Sequence, residues 1–199
     1  MRRYAIIGLG LLLTACITPP PKPPAGSLDA GFGGDGLVTV KAGSGSKAFA
    51  LLVQPDGKLV VGGLAYTPGQ DFALARFNPD GTLDTQFGDQ GVVTTDLGGS
   101  DVIFALALQP GSKIVAAGGS GGGAGGGYTS SFALARYNPD GSLDASFDAD
   151  GKVVTDFAGA ADSLLAMRLQ ADGRIVVAGW RELRGAQSEL EFAVARYWP

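Results

Sequence analysis

The chain has 199 residues, a net charge of −4, one cysteine and no histidine. Without histidine it has no Ser-His-Asp or Cys-His nucleophile system and no histidine-ligated zinc, and a single cysteine excludes an intrachain disulfide. Because the balance is acidic and no basic stripe occurs, nucleic acid and anionic lipid headgroups are not expected as partners.

The first residues predict an export signal. A positively charged start, residues 1–3 (MRR), precedes an apolar run over residues 4–13, which is too short for a membrane span of about 20 residues. Residues 13–16 (LTAC) resemble the bacterial lipoprotein signal. The resemblance implies a signal peptide over residues 1–15, cleavage before Cys16, and acyl chains on Cys16 that anchor the protein to a membrane. An ordinary secretory signal with an incidental cysteine is the alternative.

The residues after Cys16 bear on the compartment. Gram-negative lipoproteins that stay in the inner membrane usually carry aspartate next, whereas this chain has Ile17. The lipoprotein resemblance therefore implies a lipid anchor in the bacterial cell envelope and favours the outer membrane in a Gram-negative organism. Residues 16–26 are rich in proline, which predicts an extended tether, with a docking site for a proline-binding partner as the alternative.

One five-residue phrase recurs at a constant spacing of 60 residues. It reads FALAR at residues 72–76 and 132–136, and FAVAR at residues 192–196. A constant period indicates one supersecondary unit stacked in series. We therefore predict one repeat domain over residues 27–199, with units at roughly residues 27–81, 82–141 and 142–199.

Each unit contains strand-length apolar runs separated by turns rich in glycine and aspartate. The predicted strands span residues 48–54, 58–65, 71–78 and 91–97 in the first unit, 103–109, 113–120, 131–138 and 152–157 in the second, and 164–170, 174–180 and 191–198 in the third. Four strands in about 60 residues are typical of a propeller blade. The predicted fold class is all-β, a β-propeller-type repeat domain of three four-stranded antiparallel blades.

Three longer phrases carry a family resemblance. They are residues 27–36 (SLDAGFGGDG), 54–63 (QPDGKLVVGG) and 132–141 (FALARYNPDG). They resemble the delta-60 repeat family of bacterial β-propellers, and the resemblance covers residues 27–197. It implies a propeller fold and a secreted or cell-surface setting, but no known activity or ligand.

The strands do not divide evenly among the units. Residues 36–40 (GLVTV) match the outer strands at residues 91–95 and 151–155, but they precede the first unit, and the third unit lacks this strand. We expect the N-terminal strand to complete the last blade, either in cis or in a homodimer that forms a six-bladed ring. Propellers typically have four to eight blades, so three blades alone form an unusual ring. A self-closed or arc-shaped monomer is the rival.

Recurring charges predict a structural clamp. Three arginines share a strand face with phenylalanine and leucine, and a buried arginine needs a carboxylate or carbonyl partner. The arginines are Arg76, Arg136 and Arg196, and the recurring acids predicted to pair with them are Asp29, Asp84 and Asp144.

Two turns have the pattern N-x-D-G-x-x-D, which is similar to the ligand spacing of short calcium loops. The weak calcium candidates are Asn78, Asp80, Asp84, Asn138, Asp140 and Asp144. Asparagine and aspartate also bend turns by bonding their own backbone, and this is the interpretation we prefer. We therefore predict no metal and no cofactor.

The connection between the second and third strands differs in every unit. These connections, residues 66–70, 121–130 and 181–190, are expected on one face together with residues 41–47, 96–102 and 156–163. Variable loops on a rigid scaffold commonly bind partners, and tryptophan and arginine dominate binding hot spots. The candidate binding residues are Tyr66, Tyr128, Trp180, Arg181 and Arg184. A solvated loop with a tryptophan packed at a blade edge is the alternative.

The predicted function is a non-catalytic interaction module for a protein or glycan on a membrane-anchored lipoprotein. The predicted inner strands at residues 48–54, 103–109 and 164–170 contain no aspartate or glutamate, so no paired carboxylates line the channel. A structural envelope component without a discrete ligand is one alternative. An enzyme with acids in its loops is the other.

Overall fold

The fold comes from a computed structural model that describes residues 23–121, 131–157, 161–183 and 189–199. The predictions made for the signal peptide, Cys16, Tyr128 and Arg184 lie outside these described residues. Within them the regular structure is β-strand, apart from one 3₁₀ turn at Pro110–Ser112.

Three antiparallel sheets follow one another along the chain. The first sheet contains β1 (Ser46–Val53), β2 (Leu59–Tyr66), β3 (Gln70–Phe77) and β4 (Val92–Thr95), the second β5 (Val102–Gln109), β6 (Lys113–Ser120), β7 (Ser131–Tyr137) and β8 (Lys152–Thr155), and the third β9 (Asp162–Leu169), β10 (Ile175–Leu183) and β11 (Glu189–Tyr197). The strands pair in sequence order within each sheet. The prediction of an all-β fold built from antiparallel propeller-type blades is confirmed, and the third blade has three described strands.

A bulge recurs in the first strand of every blade, opposite a glycine. The register shifts after Ala48 in β1 and after Ile103 in β5, and in the third blade it shifts where β9 faces Ala178 and Gly179. A Cβ at Gly118 would lie 1.8 Å from the carbonyl oxygen of Val102. Glycine is therefore required where the bulged strand approaches its neighbour so closely.

The repeated phrase explains how the blades pack. Side chains alternate between the two faces of a strand, so FALAR directs phenylalanine and leucine to one face and two alanines to the other. Phe72 and Leu74 of β3 share a buried core with Ala133 and Ala135 of β7. The same interlock joins the second blade to the third, where the core includes Phe132 and Leu134 of β7 and Ala193 of β11.

Residues 36–40 bear on how the last blade is completed. They were expected to complete it either in cis or in a homodimer, and in the single chain they belong to no sheet. The outer edges of β3 and β7 are already occupied by β4 and β8, and the third blade packs on the far side of the second. Completion of the last blade in cis is therefore not what the single chain shows.

Candidate functional site

The two ends of the blades carry different kinds of connection. At one end the β1–β2 turn packs against the turn after β3. The two turns are so close that a Cβ built on Gly57 would lie 3.2 Å from Pro79 Cγ. At the other end isolated bridges join Gly43 to Tyr66 and Gln70 to Ser100. We call the first end the turn face and the second the variable-loop face, which is formed by the described parts of residues 41–46, 66–71, 96–101, 156–162 and 181–183.

The turn face carries the clamp in the first two blades. Arg76 Nε lies 2.7 Å from Asp84 Oδ2, and Lys58 Nζ lies 2.8 Å from the same oxygen. The second blade repeats this with Arg136 at 2.7 Å and Lys113 at 2.6 Å from Asp144 Oδ2. Each carboxylate therefore meets two cations in a largely buried site.

The partners decide the protonation of these acids. Burial is the largest influence and raises the pKa of Asp84, but hydrogen bonds from Lys58, the Gln86 N–H and Arg76 together bring that pKa below its ordinary value. Burial likewise raises the pKa of Asp144, and its bonds from Lys113 and Ser146 bring it well below the ordinary range. Both carboxylates are ionised near neutral pH.

The third predicted pair is not brought together within the chain. Arg196 is exposed at the edge of β11. Asp29 is also exposed, and its Oδ1 accepts a hydrogen bond of 2.9 Å from the Gly31 N–H. Among the described residues no ion pair joins Asp29 to Arg196.

The calcium candidates bond to their own turns. Asp80 Oδ1 accepts bonds from the Thr82 N–H at 2.9 Å and from Thr82 Oγ1 at 2.7 Å, and both lower the pKa of Asp80. Asp140 bonds Ser142 in the same way. Asn78 Nδ2 donates to Thr82 Oγ1 at 3.0 Å. This geometry agrees with the turn-bending interpretation.

The variable-loop face contains an acidic cluster that the sequence did not predict. Asp71, Asp96 and Asp101 each place a carboxylate oxygen within 4.8 Å of the others. It is the one group of three or more carboxylates this close in the part of the chain that the structure describes. Asp101 is fully buried, and its Oδ2 accepts a bond of 2.7 Å from the Leu97 N–H.

Local backbone pairing assembles this cluster. Asp71 lies in β3, Asp96 follows β4, and Asp101 precedes β5, where its N–H donates to the Gln70 carbonyl at 2.7 Å. Burial raises the pKa of the Asp101 carboxyl, and the charges of Asp96 and Asp71 add to this effect. Hydrogen bonds from Ser120 and Leu97 act in the opposite direction but are weaker.

The third blade carries a different arrangement at the equivalent place. Arg181 donates from Nε and Nη2 to Glu191 Oε2, at 2.9 and 2.8 Å. Burial, and to a lesser extent the Asp156 charge, raise the pKa of the Asp162 carboxyl, while the Phe157 N–H and the Arg181 charge oppose that rise. A cation thus stands near the buried acid of the third blade, whereas no described salt bridge reaches the acidic cluster.

The other predicted binding residues lie apart. Tyr66, in the first blade, is half-buried, and its backbone bonds Ser44 and Gly45, so its loop is tied to the loop before β1. Arg181 lies on the same variable-loop face but in the third blade. Trp180 is placed differently, because it pairs in register with Phe192 and so shares the outward sheet face of the third blade.

Comparison with known families decides the classification. The profile described as "Domain of unknown function (DUF5122) beta-propeller" matches residues 54–87, 109–147 and 170–199, more than half of the chain. The chain belongs to this beta-propeller family. The family matches begin at equivalent glutamines and include the clamp residues of the first two blades, but they leave out Asp96 and Asp101. No curated protein matches the chain in sequence.

One further structural finding concerns membranes. Among the helices of the described residues, none has the length and apolar character needed to cross a bilayer.

The acidic cluster shows what sequence reasoning missed. Asp71 lies 25 residues before Asp96, and neither residue stands in a recognised motif. The alignment of the repeats could have pointed to it. Placing β3 beside β4 and before β5 brings Asp71, Asp96 and Asp101 to one end of the blade. That signal identifies neighbouring positions but not the distances between carboxylates.

Proposed function

We propose that the chain is a non-catalytic interaction module that binds a protein or glycan through its variable-loop face. The β-propeller family and the rigid stacking of blades support a binding scaffold, since binding residues concentrate on loops held by such scaffolds. The delta-60 resemblance remains a prediction, as does the absence of catalysis.

One contrast between the two faces carries the proposal. On the turn face the first two blades repeat the same clamp and the same turn bonds. On the variable-loop face the equivalent cross-strand pair changes from blade to blade, being Ala65 with Asp71, Ser120 with Ser131, and Arg181 with Glu191. When one surface of a repeat protein binds a specific partner, we expect the residues on that surface to differ between repeats while the rest of the repeat stays the same.

Binding assays on the full chain test this proposal. We expect a glycan array, or capture from an envelope extract of the producing bacterium, to show ligands that are lost in the Tyr66→Ala, Arg181→Ala double variant. Asp56→Ala on the turn face is the matched control, because Asp56 is also exposed, and it should retain them. Equal binding by both variants, or none by the wild type, would contradict the proposal.

We further propose that acyl chains on Cys16 anchor the module to the cell envelope, favouring the outer membrane in a Gram-negative cell. Its support is the LTAC signal followed by Ile17 and a proline-rich segment. Membrane fractionation of cells fed labelled palmitate should show a labelled, membrane-bound chain, and Cys16→Ser should lose both label and membrane association. A membrane-bound but unlabelled wild-type chain would overturn the acylation.

A further inference from the structure

We propose that two copies of the chain close a six-bladed ring in which residues 27–40 of each copy complete the third blade of the other. This proposal is independent of the ligand-binding function. Residues 27–40 are called the donor segment below. The donor segment matches residues 82–95 of the first blade and 142–155 of the second, which end with β4 and β8 and are called the outer segments.

The donor segment already sits where the outer segment of a preceding blade belongs. In the first blade, Gly88 N–H donates to the Asp140 carbonyl of the second blade at 2.8 Å. In the donor segment, Gly33 N–H donates to the Asp80 carbonyl of the first blade, also at 2.8 Å. The surroundings of the two turn glycines match as well, because Gly81 faces Phe32 and Val38 as Gly141 faces Phe87 and Val93.

The donor segment also has the internal geometry of an outer segment. Phe32 N–H donates to the Asp29 carbonyl at 2.9 Å, and Gly36 N–H donates to the Phe32 carbonyl at 2.7 Å. The corresponding bonds from Phe87 and Gly91 measure 3.0 and 2.8 Å. The segment is therefore folded as part of a blade whose inner strands are absent beside it.

The bonds that it lacks are those to its own blade. Asp84 N–H donates to the Arg76 carbonyl at 2.8 Å, and Arg76 N–H donates to the Gly91 carbonyl at 3.0 Å. Arg136 makes the same two bonds in the second blade. Among the described residues, Arg196 has neither bond, and the outer edge of β11 pairs with no strand.

The open face of the third blade is strongly apolar. Phe192 is 98% exposed, whereas the equivalent Phe72 and Phe132 are 0% exposed. Val194 is 61% exposed, whereas Leu74 and Leu134 are buried. In the first two blades these side chains pack against the next blade, so the third blade presents a packing surface with nothing described on it.

The complementary surface lies at the other end of the same chain. A cavity of about 450 Å³ separates the donor segment from the first blade, and its lining includes Ala73, Ala75 and the exposed Leu51. Ala133 and Ala135 are the equivalent alanines in the second blade, where they receive Phe72 and Leu74. The cavity is thus shaped to receive the third-blade residues Phe192 and Val194 of another copy.

Charge fits the same arrangement. Asp29 occupies the place of Asp84, and in the third blade Arg196 and Arg174 occupy the places of Arg76 and Lys58. The first two blades each have one clamp. The ring would form a third clamp, in which Asp29 of one copy pairs with Arg196 and Arg174 of the other. This contact would give the exposed Asp29 and Arg196 a partner of opposite charge, and it would add a second carboxylate near Arg174, which pairs with Asp172 at 2.9 Å in the single chain.

A second copy of the chain can fill the cavity beside the donor segment and cover the open third blade at the same time. One chain has a donor end and an acceptor end, so two chains related by a twofold axis satisfy both. Two copies of three blades give six, within the range of four to eight that propellers use, whereas three copies would give nine. Closure also pairs the exposed edge of β11, which is otherwise an aggregation hazard.

Mass in solution tests the stoichiometry. Light scattering on the purified full chain, with the detergent contribution subtracted, should give twice the mass of one chain. Phe192→Asp with Val194→Asp should halve that mass without altering the circular dichroism spectrum, because both side chains are exposed in the single chain. Val154→Asp, at another exposed apolar position, is the matched control and should remain dimeric. A wild-type mass of one or three chains would overturn the proposal.

Engineered cysteines test the register. The blades pair Ala73 with Thr94 and Ala133 with Val154, so the ring predicts Ala193 of one copy opposite Thr39 of the other. Directly opposed residues lie close enough for a disulfide. Thr39→Cys with Ala193→Cys should give a covalent dimer on a non-reducing gel, and either single variant should not.

Ala133→Cys with Val154→Cys should instead crosslink within one chain. A double variant that crosslinks only within one chain, or no more than the single variants, would overturn the strand exchange.

Discussion

Three buried aspartates show that neighbouring groups decide whether a carboxylate stabilises this protein. Asp84, Asp144 and Asp101 are all buried, yet the first two have lowered pKa values and the third a raised one. The difference is that lysine and arginine flank the first two, whereas Asp101 meets two further acids. Clamp carboxylates therefore stabilise the fold at neutral pH, while Asp101 opposes it.

Removing the arginine of a clamp should be costly. Arg136→Ala leaves Asp144 buried with Lys113 as its remaining cation, and breaking a buried pair costs about 3–5 kcal/mol. We expect the free energy of unfolding, measured by urea denaturation, to fall by this amount. Arg181→Ala is the control, since its pair with Glu191 is largely exposed and should contribute less than about 1 kcal/mol. Equal losses in both variants would contradict a special role for the clamp.

Replacing Asp101 should stabilise the protein at neutral pH. A folded-state pKa above the unfolded value means that the ionised carboxyl costs stability, and this cost disappears as the pH falls through the raised pKa. Asp101→Asn can still accept the Leu97 bond but carries no charge. Its Tm should exceed that of the wild type at pH 7, and the gain should shrink on acidification.

The exposed Asp89 provides the comparison for this experiment, because Asp89→Asn should leave the Tm unchanged at either pH. Repeating the measurement with a chelator separates charge repulsion from metal binding. A lower Tm for Asp101→Asn at pH 7, together with a wild-type Tm that falls on chelation, would mean that the acidic cluster holds a cation.

At the scale of a strand, each blade depends on one close approach between its first two strands. The glycine opposite the bulge recurs as Gly63, Gly118 and Gly179, and a Cβ at each would lie within 2 Å of a backbone oxygen. The backbone cannot yield as a flexible side chain can. This recurrence marks the bulge as part of the blade design rather than a local irregularity.

Gly118→Ala should therefore destabilise the second blade by about 1–3 kcal/mol, the usual cost of forcing an extra methyl group into a packed site. Thermal unfolding followed by circular dichroism measures this change. Gly69→Ala is the matched control, because the nearest atom to its Cβ would lie 3.6 Å away, an ordinary contact. If the two variants unfold at the same temperature, the close approach does not constrain the fold.

At the scale of the whole molecule, the blades hold one another rather than a common centre. One core joins the first and second blades, and another joins the second and third. The second blade is therefore covered on both faces, while the first and third each keep one open face. Phe192 is exposed in the third blade because of its position, since the equivalent Phe132 of the central blade is buried.

Hydrogen exchange tests whether the open edge of the third blade stays open in solution. The amides of β7 bond to strands on both sides, so they should exchange slowly under all conditions. In the proposed ring β11 is protected in the same way, whereas the Phe192→Asp, Val194→Asp variant should exchange faster in β11 and unchanged in β7. Equally fast exchange of β11 in the wild type would indicate that its outer edge is open in solution.

The strands and their order were predictable because local chemistry fixes them. Apolar runs and the turns before them, Pro-Asp-Gly before β2 and Pro-Gly-Ser before β6, located these two strands to within a residue of their observed bounds. The repeat also located Asp84 and Asp144 as partners of arginine, since the same spacing returned twice. The acidic cluster could not be found this way, because its members are distant in sequence and only the pairing of β3, β4 and β5 joins them.

The sequence by itself determined the blade: strand lengths, turn chemistry, and an alternation that packs large side chains against small ones. These are consequences of residues close together in the chain. Only the tertiary structure decided where the donor segment lies and which faces stay open. That outcome depends on which edges and faces remain after three blades have stacked, and no local pattern records it.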